Sequence, residues 1–234
     1  MSINLITSFY IPNNEPRSNE LKITLNKNVL CKHIESIHLF VDNDECRNYI
    51  EATYLDYLNK KVIIISEYKQ PKYSDLFHYA NTNLRDKLCF IANSDIWIKT
   101  VSIDLNTIIY EDVALALTRH ESDGTTTPID CYQGSHDAFV FKSPLKNNSM
   151  IKHLQFVQNI LGAENVVLYE LMKYGYKLLN PCHQIVIVHE HASNVRTYNV
   201  EHRINRGDYD GDGVFKVRSR TVAPCIINMN SKIK

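Results

Sequence analysis

The amino-acid sequence predicts a single α/β domain built around a mainly parallel central sheet flanked by helices. Between residues 3 and 100, short apolar runs alternate with helix-like segments, and the runs end in polar or acidic residues. This alternation favours parallel strands joined by right-handed crossovers. Ligands of such sheets gather at the carboxyl ends of the strands, so we expect a functional site at the polar strand ends.

Four strands and three helices are predicted along the first hundred residues. The strands cover residues 5–10, 34–41, 61–66 and 88–92. One helix contains Leu21 and Leu25, a second covers residues 45–58, and a third covers residues 74–85 with Ser74 as its amino-terminal cap. The polar strand ends, expected at one edge of the sheet, are Ser8, Asp42, Ser66 and Asp95.

Beyond residue 100 the predicted strands are shorter. Strands at residues 113–118 and 138–141 flank a polar loop, helices are predicted over 149–161 and 164–174, and β-structure returns at 176–179 and 184–188. No strong linker divides the chain, so residues 1–234 are predicted to form one domain. Residues 199–234 carry few helix or strand signals and are expected to form a loose cover or flap.

The composition argues against several functional classes. Basic and acidic residues both number 26, so no strong field favours nucleic acid as a partner. The six cysteines include no Cys-x-x-Cys pair, which indicates reduced thiols and a cytoplasmic location. Neither a signal peptide nor an apolar stretch of about 20 residues occurs, so no transmembrane segment is expected. The sequence contains no glycine-rich dinucleotide motif and no phosphate-binding loop, which argues against a dinucleotide enzyme or an ATPase.

The turn after the fourth predicted strand is the first candidate for chemistry. Asn93 and Asp95 lie two positions apart, so their oxygen atoms fall on one side of an extended segment. Oxygen ligands suit Mg²⁺ or Mn²⁺, and such an ion can bridge a carboxylate to a diphosphate. The alternative is a polar turn in which Asp95 only caps the following segment.

Three later segments follow this turn: GSHDAF at residues 134–139, GAEN at 162–165, and NPC at 180–182 running on to HxHxSxxRxY at 189–198. Their order, over roughly residues 3–200, resembles small GT-A glycosyltransferases of bacteria, algae and large DNA viruses. The resemblance implies a UDP-hexose donor, a glycan or other hydroxyl acceptor, and a Mn²⁺ or Mg²⁺ cofactor. It also implies a nucleotide-binding half at residues 1–100 and a donor-sugar and acceptor half at 101–198. A viral member would act in the host cytoplasm or the virion.

The same resemblance assigns the metal and phosphate ligands. In that family the turn usually reads Asp-x-Asp, and here Asn93 replaces the first acid, so Asp95 is its single carboxylate. We therefore expect weak metal affinity, with His189 or His191 on the metal or the diphosphate. Arg196 is the predicted phosphate ligand, because its guanidinium can donate two parallel hydrogen bonds. The alternative is that both histidines are structural.

Two acids are candidates for the chemical step. Glu164, at the start of a predicted helix, matches the family residue that deprotonates the acceptor hydroxyl, which implies inversion at the anomeric carbon. Its alternative role is to complement the helix dipole. Asp137 is the competing base, or a residue that binds sugar hydroxyls, or a residue that satisfies backbone groups in its turn.

The remaining candidates concern the nucleotide. Strand-end positions are placed to meet the base and ribose, Arg17 could reach the diphosphate, and two residues lie one turn apart on the helix before the Asn93 turn. The predicted nucleotide ligands are Thr7, Ser8, Phe9, Arg17, Asp42, Asn81, Arg85, Asn93 and Ser94. The alternative is that the polar residues among them are caps or surface residues.

Two further readings of the sequence stay open. Residues 208–213 (DYDGDG) reproduce the first half of a calcium loop, but Ser219 stands where its last acidic ligand belongs, so an acidic turn or a flap is the alternative. The departures at Asn93 and Glu164 also allow a noncatalytic nucleotide-sugar or glycan-binding module of the same fold. A nucleotidyltransferase on a related sheet is a third possibility, but no early glycine-rich, arginine-containing loop supports it.

Overall fold

The computed structural model describes residues 2–67, 69–123, 135–193, 195, 204 and 220–228. The strands within these residues are β1 (Ile3–Phe9), β2 (Ile34–Val41), β3 (Val62–Ser66), β4 (Leu88–Ala92), β5 (Ile96–Val101), β6 (Val113–Leu117), β7 (His120–Glu121), β8 (Ala138–Lys142), β9 (Lys177–Leu179) and β10 (Ile185–His189). The helices are α1 (Glu15–Leu30), α2 (Asp44–Thr53), α3 (Tyr73–Asn83), α4 (Leu105–Ile108) and α5 (Ala163–Lys173), with 3-10 helices at Leu55–Tyr57 and Asn148–His153.

Seven strands form the central sheet in the order β3-β2-β1-β4-β8-β6-β9. Strands β3, β2, β1 and β4 are parallel, as are β6 and β9, whereas β8 runs antiparallel to both of its neighbours. A second sheet, β5-β10-β7, lies beside it. The predicted α/β class with a mainly parallel central sheet flanked by helices is therefore confirmed.

The central sheet is buried on both faces, which explains why its strands read as continuous apolar runs. In β1, Ile3, Leu5 and Phe9 pack into one hydrophobic cluster, and Ile6 packs into the other. Strand β2 behaves in the same way, with Leu39 on the first face and Phe40 on the second. A hydrophobic core on each face therefore holds the parallel strands in place, with their carboxyl ends at one edge of the sheet.

Helix starts place two charged residues beside that edge. The side chain of Asn14 caps α1 by accepting a hydrogen bond from the backbone N–H of Arg17 at 3.0 Å, so Arg17 lies in the first turn. Helix α5 begins after Gly162, whose φ of 86° places it in the left-handed region. This start puts Glu164 in the first turn of α5.

Two predicted helix features are wrong. Ser74 lies inside α3, and the cap is Lys72, whose backbone N–H donates to Asp75. Of the helix predicted over residues 149–161, only the 3-10 helix at Asn148–His153 exists. The reason for the second error is that the carbonyls of Leu154 and Phe156 accept the free N–H groups at the start of α3, which leaves this segment outside a helix of its own.

The described part of the carboxyl-terminal tail lies on the second half of the chain. The N–H of Cys225 donates to the carbonyl of Asn180 at 2.9 Å, and Gln184 exchanges two hydrogen bonds with the backbone of Ile227. Among the described helices, none is both long and apolar enough to cross a membrane.

Candidate active site

The carboxyl ends of β1, β2 and β4 open into a cleft of about 660 Å³. Ser8 and Phe9 at the end of β1, Asp42 after β2 and the Asn93-Ser94-Asp95 turn after β4 all line it. The cleft extends to the segment before β8 and to the start of α5. Residues from both halves of the chain therefore meet in one cleft, at the strand ends where the sequence predicts them.

Asp95 is the centre of a buried charge cluster at one end of this cleft. Arg17 Nη2 donates to Asp95 Oδ2 at 2.6 Å, and His189 Nε2 lies 3.2 Å from the same oxygen. The second nitrogen of Arg17, Nη1, contacts Glu20 Oε2 at 3.0 Å and His191 Nδ1 at 2.6 Å. Glu20 in turn accepts hydrogen bonds from the backbone and hydroxyl of Ser193. Helix α1 and the segment after β10 are thus joined through the Arg17 guanidinium.

The two histidines of the HxH segment lie on the same side of the chain, as their alternation predicts. Their rings stack with centroids 5.0 Å apart and an interplanar angle of 15°. His189 Nδ1 lies 3.0 Å from Glu121 Oε2, so both nitrogens of His189 face a carboxylate. The Nε2 atom of His191 is buried and has no hydrogen-bond partner among the described residues.

The charges of this cluster shift one another's pKa values. Burial opposes the charge on His189, but hydrogen bonds to Asp95 and Glu121 raise its pKa to about 9. Burial likewise opposes the charge of Asp95, yet His189 and Arg17 together hold its pKa well below its usual range. The hydrogen bond from His189, followed by those of Arg119, lowers the pKa of Glu121 to about 2. Near neutral pH the cluster is therefore a set of fully charged pairs.

Three residues of this cluster are of types that ligate divalent metal ions. Asp95, His189 and His191 each offer one ligand atom, and these atoms lie within 4.8 Å of one another. An ion would have to share Asp95 Oδ2 with Arg17, and His189 would have to give up a proton to bind it.

Asp137 lies in a second charged group, before β8. Arg119 Nη1 donates to Asp137 Oδ1 at 3.0 Å, and the Ser135 hydroxyl donates to Asp137 Oδ2 in a short hydrogen bond. Arg119 also holds Glu121 through its Nε, at 2.8 Å. These contacts fix Asp137 as a paired carboxylate that is 7% exposed.

Glu164 lies beside Asp137, and Asn93 stands between the two acids. Asn93 Nδ2 lies 3.4 Å from Asp137 Oδ1, and its own side-chain oxygen accepts from Gln158 Nε2 at 3.1 Å. Burial, followed by the negative charge of Asp137, raises the pKa of Glu164 to about 8, although the Asn93 hydrogen bond opposes the shift. A carboxyl group with this pKa exchanges a proton near neutral pH, as a general base must.

The nucleotide candidates fall into two groups. Ser8, Phe9, Arg17, Asp42, Asn93 and Ser94 line the cleft. The ring of Phe9 stacks on Tyr49 at 5.7 Å and is 2% exposed, so little of its face is open to a base. Asp42 is exposed at the cleft.

Three candidates lie outside the cleft lining. The Thr7 hydroxyl donates to the carbonyl of Ala92 at 3.0 Å and joins β1 to β4. Asn81 accepts the backbone N–H of Leu145 at 2.8 Å, and Arg85 is exposed near the end of α3. Arg196 and the loop at residues 208–213 lie outside the described residues.

Among the residues that hold the two charged groups and Asn93 in place, the sequence predictions did not include Glu20, Arg119, Glu121 and Gln158. Arg119 and Glu121 flank the start of β7, a strand of two residues that is too short to give an alternating pattern. Glu20 follows Arg17 by three positions, which places both on one face of α1, and this spacing was the available signal.

No protein-family model and no curated protein matches this sequence. Solved structures do match it. TarS from S. aureus is 14% identical, with a TM-score of 0.51 and 81% of this chain covered against 36% of that chain. Its 1-349 form gives 14% identity and a TM-score of 0.50, with 81% and 60% covered.

Two further solved structures have lower TM-scores. The mannosyltransferase PcManGT from Pyrobaculum calidifontis, in complex with GDP-Man and Mn²⁺, is 12% identical with a TM-score of 0.49, and the match covers 83% of this chain and 58% of that one. An inositol-1-phosphate CTP transferase from T. maritima is 10% identical with a TM-score of 0.47, covering 84% and 91%. The chain spans about 60% of TarS 1-349. Together with the sheet order, the TarS matches show that the fold of this chain resembles that of TarS.

Proposed function

We propose that this chain transfers a sugar from a nucleoside-diphosphate donor to an acceptor hydroxyl. The observation that carries the proposal is the cleft itself, which joins a carboxyl group of raised pKa, Glu164, to the charged cluster around Asp95. Transfer of a glycosyl group needs both elements: a base for the acceptor and positive charge beside the leaving diphosphate. TarS, whose fold is similar, has been solved with UDP and with UDP-GlcNAc, which supports a UDP-sugar as donor.

The donor nucleotide is assigned to the strand ends. Asp42, exposed at the end of β2, is the candidate to accept hydrogen bonds from ribose hydroxyls. Ser8 and Phe9 flank the same part of the cleft and would border the base. The diphosphate would then lie towards Ser94 and Asp95, where Arg17 is the nearest side chain of fixed positive charge.

Positive charge at that end would stabilise the diphosphate as it leaves. A divalent ion, Mn²⁺ or Mg²⁺, held by Asp95, His189 and His191 would be one source of this charge, provided that it displaced Arg17 from Asp95 Oδ2. Arg17 and the His189 imidazolium are the other source, because both are positively charged and both contact Asp95. Arg196 is a further candidate to bind phosphate, and it is proposed from its position in the sequence alone.

Glu164 is the proposed base. Its carboxylate would take the proton of the acceptor hydroxyl while the oxygen bonds to the anomeric carbon and the bond from that carbon to the diphosphate oxygen breaks. Attack from the face opposite the diphosphate gives inversion. Asp137 is assigned to the hydroxyls of the donor sugar, because Arg119 and Ser135 hold its two oxygens in fixed positions.

Glu164→Gln and Asp95→Ala test this proposal, with Glu111→Gln, an exposed acid outside the cleft, as the matched control. A panel of UDP- and GDP-sugars is screened for thermal stabilisation of the protein and for release of nucleoside diphosphate. We expect Glu164→Gln to retain donor binding and lose transfer, and Asp95→Ala to lose donor turnover. Full transfer by both variants would refute the assignment. Donor binding without release in the wild type would favour the noncatalytic binding module.

A further inference from the structure

The Arg17 guanidinium is buried among groups that a metal ion would use. Arg17 is 6% exposed, and its two terminal nitrogens contact Asp95 Oδ2 and His191 Nδ1, each at 2.6 Å. Its Nη1 also contacts Glu20 Oε2 at 3.0 Å and the Glu190 carbonyl at 3.3 Å. Because the planar guanidinium is always charged and is held by three elements of the chain, Arg17 is a fixed cation at this end of the cleft.

The position of Arg17 sets the hydrogen of His191. A guanidinium has no acceptor atom, so His191 Nδ1 must accept the hydrogen bond from Arg17 Nη1. The hydrogen of the neutral imidazole is then on Nε2, the buried atom that has no partner among the described residues. An N–H group binds the oxygen of an anion, whereas a metal ion requires a free lone pair. His191 therefore suits a phosphate oxygen better than a cation.

The other two candidate ligands are engaged as well. His189 has a carboxylate within 3.2 Å of each ring nitrogen, Asp95 on one side and Glu121 on the other. Asp95 Oδ2 already contacts two basic side chains, Arg17 and His189. A divalent ion at Asp95 would lie next to the guanidinium, and the repulsion between the two cations would weaken its binding.

We propose that Arg17 itself supplies the positive charge at this end of the cleft. It binds Asp95 in the place that a divalent ion would take, so that a nucleoside diphosphate binds without an ion. Arg17 and the Nε2–H group of His191 face the phosphate oxygens in this arrangement. The nucleotide half of this inference rests on the proposed function. The half that concerns competition between Arg17 and an ion for Asp95 is independent of it.

The ion half is tested by titrating Mn²⁺ alone into the protein and measuring binding by calorimetry. The variants are Arg17→Met and the matched control Lys22→Met, which removes the same charge from the same helix at a position outside the cleft. We expect wild type and Lys22→Met to bind Mn²⁺ weakly, and Arg17→Met to bind it at least about tenfold more tightly. Equal affinity of wild type and Arg17→Met for Mn²⁺ would overturn the inference.

Arg17→Met leaves Asp95 without one partner and could fail to fold, so two further variants keep the test decisive. Arg17→Gln offers Asp95 a neutral amide and should gain Mn²⁺ affinity. Arg17→Lys keeps a positive charge and should exclude the ion as the wild type does. An increase of Mn²⁺ affinity in Arg17→Lys as large as that in Arg17→Gln would contradict a role for charge.

The nucleotide half is tested by titrating UDP in the presence of EDTA and then of Mn²⁺. Wild-type affinity for UDP should be unchanged by EDTA. Arg17→Met should lose at least about tenfold in EDTA and recover with Mn²⁺, because the ion can then replace the missing charge. Wild-type binding that disappears in EDTA and returns with Mn²⁺ would overturn the inference while leaving the proposed function intact. Absence of UDP binding in every condition would overturn the nucleotide half together with the UDP assignment.

Discussion

The raised pKa of Glu164 makes Glu164→Gln a direct test of the site's electrostatics, independent of any substrate. Glutamine has the shape of a protonated glutamate and does not titrate. In the folded protein, burial and the charge of Asp137 raise the pKa of Glu164 from 4.5 to about 8. The folded state therefore holds its proton more tightly than the unfolded chain does. Consequently, wild-type stability relative to the variant should be lost as the pH rises from about 4.5 through about 8.

The size of this loss follows from the shift. A rise in pKa from 4.5 to about 8 corresponds to roughly 5 kcal/mol once Glu164 is fully ionised. The side chain is partly exposed, and water that reaches the carboxylate reduces the expected effect to about 2 kcal/mol. For a chain of this length, that free energy corresponds to a difference of about 4 to 8 °C in Tm.

The measurement is thermal or urea unfolding of wild type, Glu164→Gln and the exposed control Glu111→Gln between about pH 5 and pH 9. Wild type and Glu164→Gln should unfold together at the acid end, and the variant should become the more stable protein at the alkaline end. The control should follow the wild type throughout. A Tm difference between wild type and Glu164→Gln that stays constant across this range, or that favours the wild type at high pH, would refute the reasoning.

The remaining predictions concern Asn93, which contacts Asp137 beside Glu164, and the glycines before and after α5. Asn93→Asp adds a third carboxylate beside the two acids, so the pKa of Glu164 should rise further. Measured in this background, the stability gained by Glu164→Gln at the alkaline end should be larger, and the pH range over which it develops should extend upwards. Gly162→Ala should destabilise the protein by about 2 kcal/mol or more, because it adds left-handed strain and a Cβ that is 3.0 Å from the Ile204 carbonyl. Gly175→Ala, with φ of 94° and no atom within 4 Å of its Cβ, should lose only about 1 kcal/mol in urea unfolding, and equal losses would contradict a close contact at Gly162.

The first half of the fold was predictable because its strands are buried on both faces. Strand β2 begins and ends at the predicted residues, Ile34 and Val41, since a continuous apolar run stops abruptly at the polar residues after it. Strand β5 was missed because Ile96 resumes a strand four residues after β4 ends, in a different sheet. A local pattern marks where a strand exists and carries no information on which sheet it joins.

The predicted site residues lie close together because the ends of strands fix their positions. Asp95 and His189 are 94 positions apart, yet each follows or ends a strand, and strand ends are where α/β sheets gather polar groups. The sequence did not indicate which charged side chains pair with each other. Arg17 was expected to bind a diphosphate, and in the structure its shortest ion pair is with Asp95, at 2.6 Å. Such pairings depend on the angle at which α1 lies against the sheet, which a single sequence does not encode locally.

Asn93 and Arg17 are related through the charge of Asp95. A second acid at position 93 would add a carboxylate beside Asp137 and a second negative charge to the turn that carries Asp95, which would favour a divalent ion over a single guanidinium. With Asn93 there, Asp95 alone requires neutralising, and one arginine supplies that charge at 2.6 Å. The amide of Asn93 can also donate towards Asp137, where a carboxylate would repel it. Asparagine at position 93 and arginine at position 17 therefore support each other: the loss of one negative charge makes a built-in positive charge sufficient.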